Sequence, residues 1–130
     1  MPHPIHNRHV ITMVGLLQAS IFVGCDRNQT VSITAEDFRF TPALVRVKGS
    51  EAIRLTLYNG GREIHEFDSP LLIYTLQDAE WPASKSSSAS GILLSPGQTF
   101  QLVMAPPPGT YLYICRRKGH ANMTGTFIVE

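Results

Sequence analysis

The chain has 130 residues, 43% of them hydrophobic and 16% charged, with 11 Lys plus Arg against 10 Asp plus Glu. That length supports one globular domain able to bury a core without disulfide staples. The balanced charge excludes a nucleic-acid binder held by counterion release and a disordered, highly charged chain.

Residues 1–24 hold a single charged side chain, Arg8, followed by a mostly apolar run from Val10 to Val23. This reads as an export signal. The run is about 14 residues, short of the roughly 20 that a membrane-spanning helix needs, so a cleaved leader is expected rather than a permanent span. Phe22-Val23-Gly24-Cys25 resembles the lipobox of bacterial lipoproteins. That resemblance implies cleavage before Cys25, a lipid on Cys25 and a periplasmic chain anchored to the membrane; Asp26, by the same sorting rule, points to the inner membrane. An ordinary secretory signal cut nearby is the alternative. Without Arg8 the remaining chain carries 10 basic residues (11 minus 1) against 10 acidic ones, and only His65 and His120 remain of its five histidines. A lipid on Cys25 closes off a Cys25–Cys115 disulfide, leaving Cys115 a lone thiol in an oxidising compartment.

From Thr30 onward the pattern has period two. Val31–Ala35, Leu44–Lys48, Ile53–Tyr58, Phe100–Val103, Tyr111–Ile114 and Gly125–Val129 alternate in the manner of half-buried strands. Gly49-Ser50, Asn59-Gly60-Gly61, Ser95-Pro96-Gly97 and Pro106 to Gly109 supply turns between them. With no convincing amphipathic helix, the expectation is an all-β sandwich of about seven strands spanning 25–130. Leu71 to Leu76 fits either a strand or one helical turn. The stretch 78–91, with Trp81, Pro82 and a Ser-rich run, is expected to be a surface loop.

The chemistry gathers near the C-terminus. Cys115, His120 and Met123 place a thiol, an imidazole and a thioether on one loop between two predicted strands, and Gly119 permits a sharp turn there. A second imidazole has one source outside the leader, His65, after the Asn59-Gly60-Gly61 turn. Two imidazoles, a thiolate and a thioether make the set that a blue-copper centre uses. Taken singly, each of these residues also fits an ordinary core or loop position.

In their order these residues resemble the cupredoxins, small exported copper proteins of the plastocyanin and azurin type. The likeness runs through Phe38-Arg39-Phe40-Thr41-Pro42, Val47-Lys48-Gly49, Asn59 to His65-Glu66-Phe67, Pro96-Gly97, Pro108-Gly109-Thr110-Tyr111 and Tyr113-Ile114-Cys115 with His120, Met123 and Gly125. It implies a Greek-key sandwich, one copper ion per chain, His65, Cys115 and His120 as equatorial ligands and Met123 as the axial one. Met104 is the other thioether outside the leader. The two residues between His120 and Met123 make a shorter spacing than most relatives have, Lys118 stands where a Pro is common, and Glu66 where an Asn is common. A Glu66 carboxylate facing the site would favour Cu(II) and lower the potential.

The resemblance implies a monomeric electron carrier, not an enzyme, since four protein ligands leave no open position for substrate. Arg116, Arg117 and Lys118, beside the histidine whose ring edge is the usual electron exit in relatives, would steer an acidic redox partner. Copper handling, or a role accessory to periplasmic iron oxidation and uptake, are the rival functions. A Cys115/His120 thiol enzyme is disfavoured because no oxyanion donors or helix start are readable beside the pair.

Overall fold

The structure, a computed structural model, describes residues 28–49, 51–76 and 91–130. The expected leader, the expected lipidation position Cys25 and all of the Ser-rich stretch except Gly91 lie outside the described residues.

Nine strands are described: β1 (Gln29–Glu36), β2 (Arg39–Thr41), β3 (Leu44–Val47), β4 (Ile53–Asn59), β5 (His65–Phe67), β6 (Ile92–Leu94), β7 (Thr99–Met104), β8 (Gly109–Ile114) and β9 (Thr124–Val129). They form an all-β sandwich, as the alternation predicts. One sheet has the order β2-β1-β4-β7 and the other β3-β9-β8. A two-stranded pair, β5-β6, joins the second sheet's edge through a bridge between Asp68 and Ile114. The three strands beyond the six alternating runs of the sequence are short. β2, β5 and β6 have three residues each, too few for a period-two signal to stand out in sequence. Pro70–Tyr74 forms a 3₁₀ helix capped by Ser69, whose hydroxyl accepts from the Leu71 amide, which resolves the ambiguous Leu71–Leu76 stretch towards a helical turn. No described helix is long and apolar enough to cross a membrane.

Each strand buries alternate residues. Ile53, Leu55 and Leu57 of β4, Phe100, Leu102 and Met104 of β7, Tyr113 of β8 and Phe127 and Val129 of β9 fill the space between the sheets. Burial of this kind is worth about 1.5–3 kcal/mol for each large apolar side chain. Gly125, paired with Tyr113, leaves room for that ring; a Cβ there would overlap the ring atoms. The Tyr113 hydroxyl donates to the Pro42 carbonyl at 2.6 Å, and burial pushes its pKa up to about 12.

The inward rows do not stop where the apolar residues stop. In β4 the row Ile53, Leu55, Leu57 continues to Asn59, in β8 Tyr113 continues to Cys115, in β9 Phe127 and Gly125 lead back to Met123, and β5 opens with inward His65. All four continuations fall at the same end of the sandwich. The pairing explains why: β8 runs antiparallel to β9, so the end of one lies beside the start of the other.

Candidate metal centre

The loop between β8 and β9 is closed on itself. Cys115 donates its amide to the Met123 carbonyl at 3.0 Å, Met123 donates to the His120 carbonyl at 2.9 Å, and His120 donates to the Arg117 carbonyl at 3.1 Å. Gly119 takes φ +90° within it, the left-handed region open to glycine, as the sequence anticipates. The effect is to aim two side chains of one loop back into the sandwich: Cys115 is 5% exposed and His120 is 3% exposed.

His65 arrives from the other side. Asn59, the polar last position of the β4 inward row, is fully buried and holds the intervening loop. Its amide nitrogen donates to the Glu63 and Leu94 carbonyls, both at 2.8 Å, and its side-chain oxygen accepts from the Gly61 amide at 2.9 Å. That clamp brings the chain straight into β5, so His65 begins a strand rather than lying in the turn that precedes it. Gly61 passes so close that a Cβ would meet Asp37 Oδ1 and would lie 2.7 Å from His65 Nε2.

One donor atom from each of His65, Cys115 and His120 lies within 4.8 Å of the others, and all three residues are buried. The two imidazoles face each other through Nδ1, 3.2 Å apart, and Cys115 Sγ is 3.5 Å from His120 Nδ1. The outer nitrogens differ. His120 Nε2 lies 2.9 Å from Glu63 Oε2. His65 Nε2 is buried without a hydrogen-bond partner among the described residues, the Asp37 carboxylate standing 3.6 Å away. Asp37 is held below the usual carboxylate range, first by the Arg62 backbone N–H. Burial, and then the charge of His120, lower the pKa of His65, which keeps its ring neutral with a lone pair to offer.

Met123 is fully buried beside this cluster in sequence and fold, whereas Met104 is not near it. Met104 pairs with Ile53 at the start of β4, and Asn59 at its end is the seventh residue of the strand, about 20 Å away at roughly 3.3 Å per residue step. Topology thus leaves Met123 as the thioether at this end.

The Glu66 side chain does not join the donors. Strand alternation turns it away from the side that buries His65 and Phe67, into an outer groove of about 510 Å³ that it lines with Glu63, Ile64, Arg116, Arg117, Lys118 and His120. What Glu66 presents inward is its backbone N–H, which donates to Cys115 Sγ at 3.4 Å. Arg116, Arg117 and Lys118 are all exposed to solvent, and Arg116 is paired with Asp68.

Several residues of this site are silent in sequence. Glu63 and Asp37 are ordinary surface carboxylates on any linear reading. Phe38 is held at φ +70°, uncommon for a bulky residue, with its ring edge-on to His120 at 5.4 Å. Asn59 leaves a local signal, as a polar residue at the end of an apolar alternating row, and Phe38 leaves one only as part of the Phe38–Pro42 segment of the family resemblance.

A family profile described as Cupredoxin-like domain matches residues 10–129. Among solved structures, auracyanin B is 24% identical over 78% of this chain and 88% of its own, with a TM-score of 0.59. An auracyanin from the photosynthetic bacterium Roseiflexus castenholzii is 20% identical over 78% of this chain and 97% of its own, TM-score 0.56. Auracyanin A, a blue copper protein from Chloroflexus aurantiacus, is 23% identical over 79% and 99%, TM-score 0.55. At these identities the likeness is one of fold. No match was found among the curated proteins.

Proposed function

The chain belongs to the cupredoxin-like family, and from that premise we propose that it is an exported type 1 copper protein that carries electrons. His65, Cys115 and His120 are the close ligands in this reading and Met123 the weak axial one. The observation that carries it is the convergence of two imidazoles and a thiol, each buried, with their donor atoms within 4.8 Å of one another. Imidazole and thiolate together are the donors that copper takes. The residues fit the metal in a further respect: two imidazole nitrogens 3.2 Å apart in a buried pocket repel through their lone pairs unless a proton or a cation lies between them.

Copper, when bound, supplies a one-electron couple. The chain supplies position. His65 opens β5, and Cys115 and Met123 flank the ladder between β8 and β9, so the two sheets fix three of the four donors. His120 is fixed by the closed loop. The Glu66 amide holds the sulfur and Asn59 holds the approach to His65. Donors anchored in this way rearrange little between oxidation states, which suits a carrier. Their burial also favours a carrier over a protein that captures metal and hands it on, because a handover needs a ligand that an acceptor can reach.

Export to the periplasm with a lipid on Cys25 at the inner membrane completes the reading, supported by the sequence of residues 1–26. An acidic redox partner docking beside the groove fits the three exposed cations Arg116, Arg117 and Lys118, of which Arg116 is already paired with Asp68.

Titration of Cu(II) into the protein, followed by visible absorption and EPR, tests the proposal. One equivalent is expected to give an intense thiolate-to-copper band with small hyperfine splitting, and Cys115→Ser to remove both. A colourless protein, or weak copper binding that survives Cys115→Ser, overturns it.

A further inference from the structure

The two histidines of the centre are alike on their inner side and unlike on their outer side. His65 Nε2 has no hydrogen-bond partner among the described residues, while His120 Nε2 is 2.9 Å from Glu63 Oε2. Glu63 lies 57 residues upstream of His120, and its backbone carbonyl accepts from the buried Asn59 amide at 2.8 Å. Its main chain is therefore clamped to the fold while its side chain reaches over the ring. The Phe38 ring also packs edge-on against the same ring at 5.4 Å, from a positive-φ backbone conformation. His120 is only 3% exposed, although it sits in a loop whose neighbours Arg117, Lys118 and Gly119 face solvent.

A carboxylate accepting from one ring nitrogen decides the tautomer. With Nε2 carrying the proton towards Glu63, Nδ1 keeps its lone pair, and Nδ1 is the atom that faces His65 and Cys115. The negative charge beyond the ring also makes the imidazole a stronger donor, and partners of this kind tune the metal that the ligand holds. A stronger donor stabilises the more highly charged oxidation state.

We propose that Glu63 is a positioning residue of the metal centre: its carboxylate holds His120 as the Nε2–H tautomer with Nδ1 turned inward, and biases the site towards Cu(II). The inference rests on the copper reading for its electronic half, and on the geometry alone for the tautomer. It replaces the role that the sequence offered to Glu66: both carboxylates line the outer groove, and it is Glu63 that lies 2.9 Å from a ligand ring nitrogen.

The alternative is an exposed ion pair without consequence. The Glu63 side chain is 61% exposed, and pairs of that kind contribute little to stability, so Glu63→Gln and Glu63→Ala are both expected to fold with unfolding midpoints close to that of the parent. Two measurements separate the readings. Nitrogen-15 NMR of the histidine rings in the metal-free protein reads the tautomer of His120. The expected result is the Nε2–H form in the parent and in Glu63→Gln, whose side-chain carbonyl still accepts, and a mixture of tautomers in Glu63→Ala. The ratio of Cu(II) to Cu(I) affinity, read as the reduction potential, is expected to fall roughly tenfold in Glu63→Ala, a rise of about 59 mV for a one-electron couple. Glu63→Gln is expected to shift it in the same direction, because the charge is gone.

A His120 tautomer unchanged in Glu63→Ala overturns the proposal, as does an unchanged affinity ratio. Should the parent fail to form a thiolate–copper centre, the reading of the function falls by itself. The metal-free NMR comparison then still decides whether Glu63 positions His120.

Discussion

The two ends of the sandwich are built from the same strands and finished differently. At the end where β4 and β8 finish and β5 and β9 begin, the inward rows terminate in Asn59, His65, Cys115 and Met123, with His120 beside them. These side chains are held by one another and by Glu63 and Glu66. At the opposite end the rows terminate in Val47, Ile53, Met104 and Val129, all apolar. That end is closed by main chain: Glu130 donates to the Val47 carbonyl at 2.9 Å, Leu76 to Val103 at 2.9 Å and Ala105 to Tyr74 at 3.1 Å. Both ends carry a glycine in tight contact. Gly61 lies against His65 and Asp37, and Gly49 against the Glu130 carbonyl and Pro108. The difference teaches that one end is a closure and the other a site, because buried polar atoms without full hydrogen bonding persist only where something else rewards them.

Matched substitutions at the two glycines are the strongest way to break that comparison. Gly61→Ala puts a Cβ 2.7 Å from His65 Nε2, so His65 must turn, and copper affinity is expected to fall by roughly 10–100-fold, the usual scale for a disturbed ligand support. Gly49→Ala puts a Cβ 2.6 Å from the Glu130 carbonyl oxygen and is expected to cost about 1–3 kcal/mol in urea unfolding with the copper spectrum intact. Equal effects of both on copper affinity would mean that the site is not local to its end.

A pH series on the metal-free protein sharpens the same contrast. Burial lowers the pKa of His65 below its ordinary 6.5. Between that lowered value and 6.5 the unfolded chain binds a proton that the folded chain refuses, so stability is complete above 6.5 and declines as the pH falls through that window. His65→Gln is expected to flatten this part of the curve, measured by urea unfolding between pH 7.5 and 5.5. An unchanged slope would place the titrating group elsewhere.

The smallest expected effect concerns the surface beside the site. Reversing Arg117 and Lys118 together to Glu is expected to leave the absorption spectrum unchanged and to slow reduction by an acidic redox protein several-fold at low salt, the difference closing as ionic strength rises. Stopped-flow rates across a salt series read this directly. Arg116, engaged by Asp68, is expected to contribute less.

Much of the fold was legible because sandwich strands announce themselves locally. Ile53-Arg54-Leu55-Thr56-Leu57 alternates with the pleat, and β4 buries the residues that the alternation selects. β5 was hidden for the opposite reason: His65-Glu66-Phe67 is too short to show a period, and it becomes a strand by pairing with Ile92–Leu94. The donors were legible as residue types in order, yet the sequence left Met104 open beside Met123, and only the pairing of Met104 with Ile53 sends it to the far end. Glu66 stood out by adjacency to His65, whereas adjacency in a strand turns a side chain to the other face.

The amino-acid sequence by itself determined the all-β alternation, the two usable imidazoles, the thiol and the glycine turn between Cys115 and His120. These follow from local periodicity and from the scarcity of metal-binding side chains outside the leader. Tertiary structure alone decided that Glu63 rather than Glu66 reaches a ligand, that the Glu66 amide meets the sulfur, that Phe38 covers His120 and that Asp68 takes Arg116. Those contacts join residues 48 to 82 positions apart. Nothing in a local pattern encodes them, because each exists only once the pairing of the strands has brought the loops to one end.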